Sequence, residues 1–211
     1  MPIKTFYSSD FPPNALRVNH MLKLKGIDLD YVDINMMKGD QFSDDYKAVN
    51  PEQTVPAILL DDGTVLNQVI SMLHYLEAEY PEPPLMGRDT VEQALVLGWL
   101  HRIFTGGLMS IAEVLRNGYA PGFEDRALPG PLNIAQIPDL IERGRTKLTY
   151  FFDSMNSELD GKDFLVGDAV TQADVDCFIV CNFAAIIKQK LDDEQHPALA
   201  AHKARIGNLL S

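Results

Sequence analysis

Cysteine, tryptophan and positive charge are what this 211-residue sequence has least of. The two cysteines, Cys177 and Cys181, are too few for a disulfide scaffold. Their i, i+4 spacing inside the apolar run 175–183 places both on one face of a buried helix, where Cys serves as a small hydrophobe; a metal or redox pair is the alternative use of that spacing. Lys and Arg number 18 against 30 Asp and Glu, a net charge of −12, with a pI near 4.7. Phosphate backbones and anionic membrane surfaces are repelled by such a field, so neither nucleic acid nor membrane is expected as a partner. No apolar run approaches the roughly 20 residues of a membrane span. Met-Pro-Ile-Lys-Thr leads directly into a strand pattern without a signal-peptide core, so the expected location is the cytoplasm. The five histidines, His20, His74, His101, His196 and His202, stand at no ligand spacing, and no metal is implied.

What is present is a hydrophobic content of 46%, ample for a packed core in one large or two modest domains. Ile3, Thr5 and Tyr7 alternate with Lys4 and Phe6, the pattern of a strand, before the polar Ser8, Ser9 and Asp10 and the helix-breaking Pro12 and Pro13. From Asn14, apolar residues recur near a 3.6 period up to Gly26, with Asn14 or Pro13 opening the helix. A strand is expected over Asp28–Ile34, and a short helix near Ser43–Ala48. Ala57–Leu60 and Thr64–Leu66 flank an Asp-Gly turn as antiparallel neighbours, and a helix enters near Val69 and ends at Pro81. The order is βαβ, then α, then ββα, the thioredoxin-like plan, with a right-handed crossover between the first two strands.

The Pro-rich stretch 82–89 reads as a linker between residues 1–81 and an all-helical domain over 90–211. Helical periodicity runs from Thr90 to Leu115, although Gly106 and Gly107 at its middle call for a kink or a close approach by another group. Regular structure lapses over Gly118–Pro138 and resumes over Asp139–Leu159. Thr171 as N-cap with Asp174 three residues on forms a capping box, flanked by Val170 and Val175, an architectural signal.

The chain is organised around residues 50–81. Asn-Pro-x-x-x-Val-Pro-Ala over Asn50–Ala57 places the X-Pro bond Val55-Pro56 between a turn and an apolar strand. A cis peptide there would aim the Val55 amide and carbonyl outward, toward a peptide-like ligand. Asp61-Asp62-Gly63, the Leu-x-Gln of Leu66–Gln68, Tyr75-Leu76 and Tyr80-Pro81 follow in order. Together with the Thr171–Asp174 box, this succession closely resembles the cytosolic glutathione transferases, across essentially the whole chain.

The resemblance implies an enzyme that lowers the pKa of the glutathione thiol and directs the thiolate at a small hydrophobic or electrophilic co-substrate, as a transferase or as a glutathione-dependent reductase or peroxidase. It puts Val55, beside Thr54 and Pro56, against the cysteinyl backbone, and Gln68 and Val69 at the γ-glutamyl end. At position 69 the family normally has Ser. Val69 keeps the backbone N–H but lacks a hydroxyl for the carboxylate, and Asn67 and Ser71 are near enough to compensate. Thr54 stands where many members have Lys or Gln. Pro12 fills the slot of the catalytic hydroxyl in Ser-type members, which leaves Asn14 as the first candidate donor to the thiolate, then Ser8, Ser9 and Tyr7. Each also has a plain use, as helix cap, loop residue or core ring. The co-substrate wall would comprise Phe11, Trp99, Arg102 and Ile103, with Tyr119 reaching over from the irregular segment as a cover; a peripheral loop is the alternative for that segment. A homodimer is implied. The departures at Pro12 and Val69 also fit a non-catalytic binding or scaffold protein that retains the fold.

Overall fold

Strand β1 (Ile3–Ser8) buries Phe6 and Ser8 and lies inside the sheet, with a strand on either side. In the computed structural model, which describes residues 2–118 and 122–211, β1 pairs in parallel with β2 (Tyr31–Asp33) and antiparallel with β3 (Ala57–Leu60). The latter pairs antiparallel with β4 (Val65–Leu66), giving the order β2-β1-β3-β4. Helix α1 (Pro13–Leu24) makes the crossover from β1 to β2, and α3 (Val69–Glu79) packs beside it. A 3₁₀ turn (Asp40–Phe42) and α2 (Asp44–Val49), capped by Ser43, return the chain to the Val55-Pro56 turn, whose peptide bond is cis. β2 is shorter than the run Asp28–Ile34 suggests: all three of its residues are exposed, so little side-chain packing extends the pairing of this edge strand.

The end of α3 is clamped from α1's C-cap. The Lys25 side chain is wholly buried; its ammonium donates to the carbonyls of Tyr80 and Pro83, each at 2.7 Å, and lies 2.8 Å from Glu77.

Two compact units result: residues 1–83 together with Pro129–Leu132, and Pro84–Leu128 together with Asn133–Ser211. The second is helical. Its elements are α4 (Thr90–Ile103), α5 (Met109–Asn117), α6 (Asp139–Glu158), α7 (Gln172–Phe183) and α8 (Pro197–Leu209). A π-helical turn, Phe104–Leu108, joins α4 to α5 at the two glycines. A Cβ on Gly107 would lie 2.8 Å from a Val180 methyl and 3.2 Å from the Phe151 ring, so the glycine is what lets α6 and α7 approach so closely. From Thr90 to Asn117 the helix runs 28 residues and is, by length and composition, apolar enough to cross a membrane, longer than the runs visible in the sequence. Val96, Leu100, Ile103, Leu108, Ile111 and Val114 are buried along it, α4 packs on α7, and α5 packs on α6, which makes it the central core helix of this unit. Cys177 and Cys181 are both buried in α7, and a hydrogen bond with the Cys181 sulfur together with burial holds the Cys177 thiol well above its usual pKa, so it stays protonated and inert. Among the described residues no group of His, Cys, Asp and Glu is arranged to hold a metal ion.

Candidate functional site

The turn ahead of β3 is built by side chains that hold one carbonyl. The Tyr46 hydroxyl donates to the Thr54 C=O at 2.5 Å, and Asn50 Nδ2 donates to the same oxygen at 2.8 Å. Burial pushes the Tyr46 phenol up to about 12, so it remains a donor throughout the neutral range. Asn67 Nδ2 in turn donates to Asn50 Oδ1 at 3.1 Å, tying the start of α3 to the turn. Tyr46 and Asn50 are positioning residues that periodicity alone does not reveal; the Asn-Pro at the head of the turn is the one local signal for Asn50. With Thr54 fixed, Val55 follows with its side chain in the cluster of Ala15, Ile34 and Tyr46. Among the described residues, its N–H and C=O take no hydrogen-bond partner.

Beyond β4, α3 opens at Gln68, which is exposed, and no side chain caps it. Its first turn contains no acid, so the unpaired N–H groups and the positive end of the helix dipole are not answered from within the helix. Val69 is 8% exposed and presents only its main chain. Neither neighbour supplies the hydroxyl that Val69 lacks. The Ser71 hydroxyl donates to the Gln68 carbonyl at 2.7 Å, and the Asn67 amide nitrogen donates to Asn50 Oδ1.

Helix α1 opens in the same way. Pro12 is its N-cap and offers no side-chain bond, Pro13 has no N–H, and the first turn holds no acid. Asn14 therefore lies inside the helix and does not cap it. Its Oδ1 accepts from Arg17 Nη1 at 3.4 Å, which turns the Nδ2 hydrogens outward; no described residue accepts them. The other candidates point inward. Ser8 is fully buried and donates to Asn19 Oδ1 at 2.7 Å, the Ser9 carbonyl accepts from Asn19 Nδ2 at 3.1 Å, and the Tyr7 ring meets Tyr46 edge-on at 5.6 Å. Phe11 is 60% exposed beside Asp10, and Asp10 accepts from the Tyr31 hydroxyl at 2.7 Å and raises that phenol to about 12.

In the second unit, Trp99 carries the Arg102 guanidinium at 4.6 Å over its ring, and Arg102 also bridges to Ser154 and Glu158. Arg102 borders a groove of about 400 Å³ shared with Gly106, Lys147, Tyr150 and Phe151. Ile103, expected at a ligand wall, has no exposed surface and is core, because it sits on the buried stripe of α4. Tyr119 lies outside the described residues. Downstream of it the irregular segment is closed at its neck. Arg116 donates to the Arg126 carbonyl at 3.0 Å and stacks on Phe123, Ala127 and Ile134 pair through their backbones, and the Gln136 amide donates to the carbonyls of Arg116 and Phe123.

A mixed four-stranded sheet with its open backbone turn, followed by a helical unit with a capped α7, defines a fold class that comparison with known proteins places. Residues 11–79 match the glutathione S-transferase N-terminal domain, and residues 134–209 the C-terminal domain. Over 164 residues the chain is 32% identical to a maleylacetoacetate isomerase of Rattus norvegicus, covering 75% of this chain and 68% of that protein. Over 81 residues it is 47% identical to glutathione S-transferase Z1 of Arabidopsis thaliana, a match spanning 38% of this chain and 36% of that protein's length. The crystal structure of a glutathione S-transferase domain-containing protein from Marinobacter aquaeolei VT8 superposes with a TM-score of 0.86 at 26% identity, covering 98% of this chain and all of that one. The chain belongs to the cytosolic glutathione S-transferase family.

Proposed function

We propose that this protein binds glutathione through main-chain groups and uses its thiolate on a small hydrophobic or electrophilic substrate. The observation that carries the reading is the Val55 N–H and C=O, left unpaired on a turn that Tyr46, Asn50 and Asn67 hold in place. Those two groups pair with the cysteinyl residue of the tripeptide. Its γ-glutamyl carboxylate takes the open start of α3 at Gln68 and Val69, where the helix end favours negative charge. The thiol loses its proton because an anion is favoured at the open start of α1, with Asn14 Nδ2 as side-chain donor. The thiolate then attacks the electrophilic carbon, and the leaving group departs with the electron pair. Asn14 is preferred because the Ser8 hydroxyl donates to Asn19, Ser9 is buried, and the Tyr7 ring packs edge-on against Tyr46.

The likeness to a maleylacetoacetate isomerase favours a second use of the same thiolate, in which it adds to a conjugated cis double bond, the new single bond rotates, and elimination returns glutathione. Counting free thiol during turnover separates the two, since a transferase consumes one thiol per product and an isomerase none. The reading includes a homodimer, for which the exposed apolar side chains of Ile70, Val91, Leu95 and Leu97 supply contact surface; a monomer in sedimentation at micromolar concentration would count against it.

Calorimetric titration with glutathione tests the proposal. A protein that merely keeps the fold gives no heat at millimolar ligand. For Asn14→Ala we expect an unchanged Kd for glutathione with turnover at neutral pH lower by roughly tenfold, the worth of one hydrogen bond to an anion, and recovery of the rate at higher pH. Equal rates in both proteins would move the donor role to the α1 main chain alone.

A further inference from the structure

Between Leu128 and Asn133 the chain crosses from one unit to the other and back: Pro129–Leu132 belong with residues 1–83, whereas both flanks belong with the helices. The point they reach is specific. A Cβ on Gly130 would stand 3.8 Å from the carbonyl oxygen of Glu52, and Gly130 holds φ at +114°, a region closed to most side-chain-bearing residues. Glu52 lies two residues before Thr54, and its own N–H is tied to Asn50 Oδ1 at 3.2 Å, so the backbone beside Gly130 is continuous with the turn that presents Val55. The loop is not a slack tether. Its neck is closed by Ala127 N–H to the Ile134 carbonyl at 3.0 Å and Ile134 N–H to the Asp125 carbonyl at 2.8 Å, while Asn117 Oδ1 accepts from the Ile137 N–H at 2.8 Å.

These placements have a direction. With the γ-glutamyl end at Gln68 and Val69 and the cysteinyl residue at Val55, the remaining end of an extended tripeptide runs back past Thr54 toward Gln53 and Glu52. That is where Gly130, the middle of the segment Pro129–Leu132, stands against the Glu52 carbonyl. We propose that this segment is a specificity-determining wall for the C-terminal, glycyl end of the bound thiol peptide. Two prolines and a short hydrogen-bonded neck give the wall little conformational freedom to lose on binding. The proposal rests on the glutathione reading above.

The test compares glutathione with γ-glutamylcysteine, which lacks the glycyl residue, by calorimetry on the full chain. Gly130→Val forces the apex out of its backbone conformation beside Glu52. Gly122→Val serves as control, because Gly122 also has a positive φ, +88°, in the same loop but with nothing within 4 Å of a Cβ. Expected is a loss of glutathione affinity of about fivefold or more in Gly130→Val, with γ-glutamylcysteine affinity unchanged and both affinities unchanged in Gly122→Val. Hydrogen exchange on the unaltered protein gives a second readout that needs no folded variant: glutathione, and not γ-glutamylcysteine, should slow exchange at Gly130 and Leu132. If the unaltered protein binds glutathione but Gly130→Val binds it equally well, or exchange at those two amides ignores the ligand, the wall is overturned while the glutathione site stands. If the unaltered protein binds neither peptide, the glutathione reading fails and the wall with it.

Discussion

The starts of α3 and α7 make an instructive pair. Both helices bury their apolar faces, yet one start is open and the other is saturated. At α7, Asp174 is fully buried and accepts the N–H of Leu165 and both the N–H and hydroxyl of Thr171, each at 2.8 Å, with His202 Nε2 at 2.9 Å. Nothing is left there for a ligand. At α3 no side chain answers the helix end and no acid lies in its first turn. An unanswered helix end beside a surface turn is a place to take an anion, whereas the answered one is masonry, and the sequence signs them differently: Thr-x-x-Asp against Gln-Val.

The largest way to break this comparison is Asp174→Ala. Four donors lose their acceptor inside the core, and we expect a loss of about 3–5 kcal/mol of stability in urea unfolding, with T171A costing less. A loss below about 1 kcal/mol would mean that water reaches the start of α7 and that it is not sealed. Closing the open start sharpens the comparison from the other side. Val69→Ser adds a hydroxyl at α3 and should tighten glutathione binding several-fold by calorimetry, because the Ser71 hydroxyl already donates to the Gln68 carbonyl and Asn67 Nδ2 is held on Asn50. Unchanged affinity would show that the ligand carboxylate lies elsewhere.

The smallest effect concerns a third start, that of α4, capped by Asp89 through the N–H groups of Val91 and Glu92. Here Glu92 accepts from the Arg88 side chain and backbone, bonds that hold its carboxyl down at about 2. A depressed carboxyl stabilises the fold above its unfolded pKa, near 4.5, and that contribution fades as pH falls toward about 2. Arg88 is exposed and Glu92 half-buried, so solvent screens the pair and Arg88→Gln should lower the thermal midpoint only slightly at pH 7. The gap between variant and parent should close on acidification through that window, and a gap independent of pH would exclude the carboxyl as its source.

Much of this was legible in the order of residues. The alternation of Ile3, Thr5 and Tyr7, the Asp-Gly turn and the Thr171–Asp174 box are local signals, and β1, the β3–β4 hairpin and α7 form where they stand. The glycine pair at 106 and 107 announced an interruption, which takes the form of a π turn against Val180 and Phe151. What could not be read depends on distant partners. Tyr46 and Asn50 meet on the Thr54 carbonyl only after α2 has folded back, Asn14 faces outward because Arg17 holds its oxygen, and Pro129–Leu132 join a unit whose other residues end at position 83. Ile103 is core for the same reason: helical periodicity says that a residue lies on a stripe, and only the packing of α4 on α7 says that the stripe is core.

The Lys25 clamp also makes a built-in reporter. An amine that donates to the Tyr80 and Pro83 carbonyls, is ion-paired with Glu77, and whose stem is out of contact with water is shielded from acylating reagents that modify exposed lysines at once. Brief treatment with such a reagent, followed by peptide mass mapping, should leave Lys25 unmarked in the native protein. Its modification then times the moment at which the end of α3 lets go.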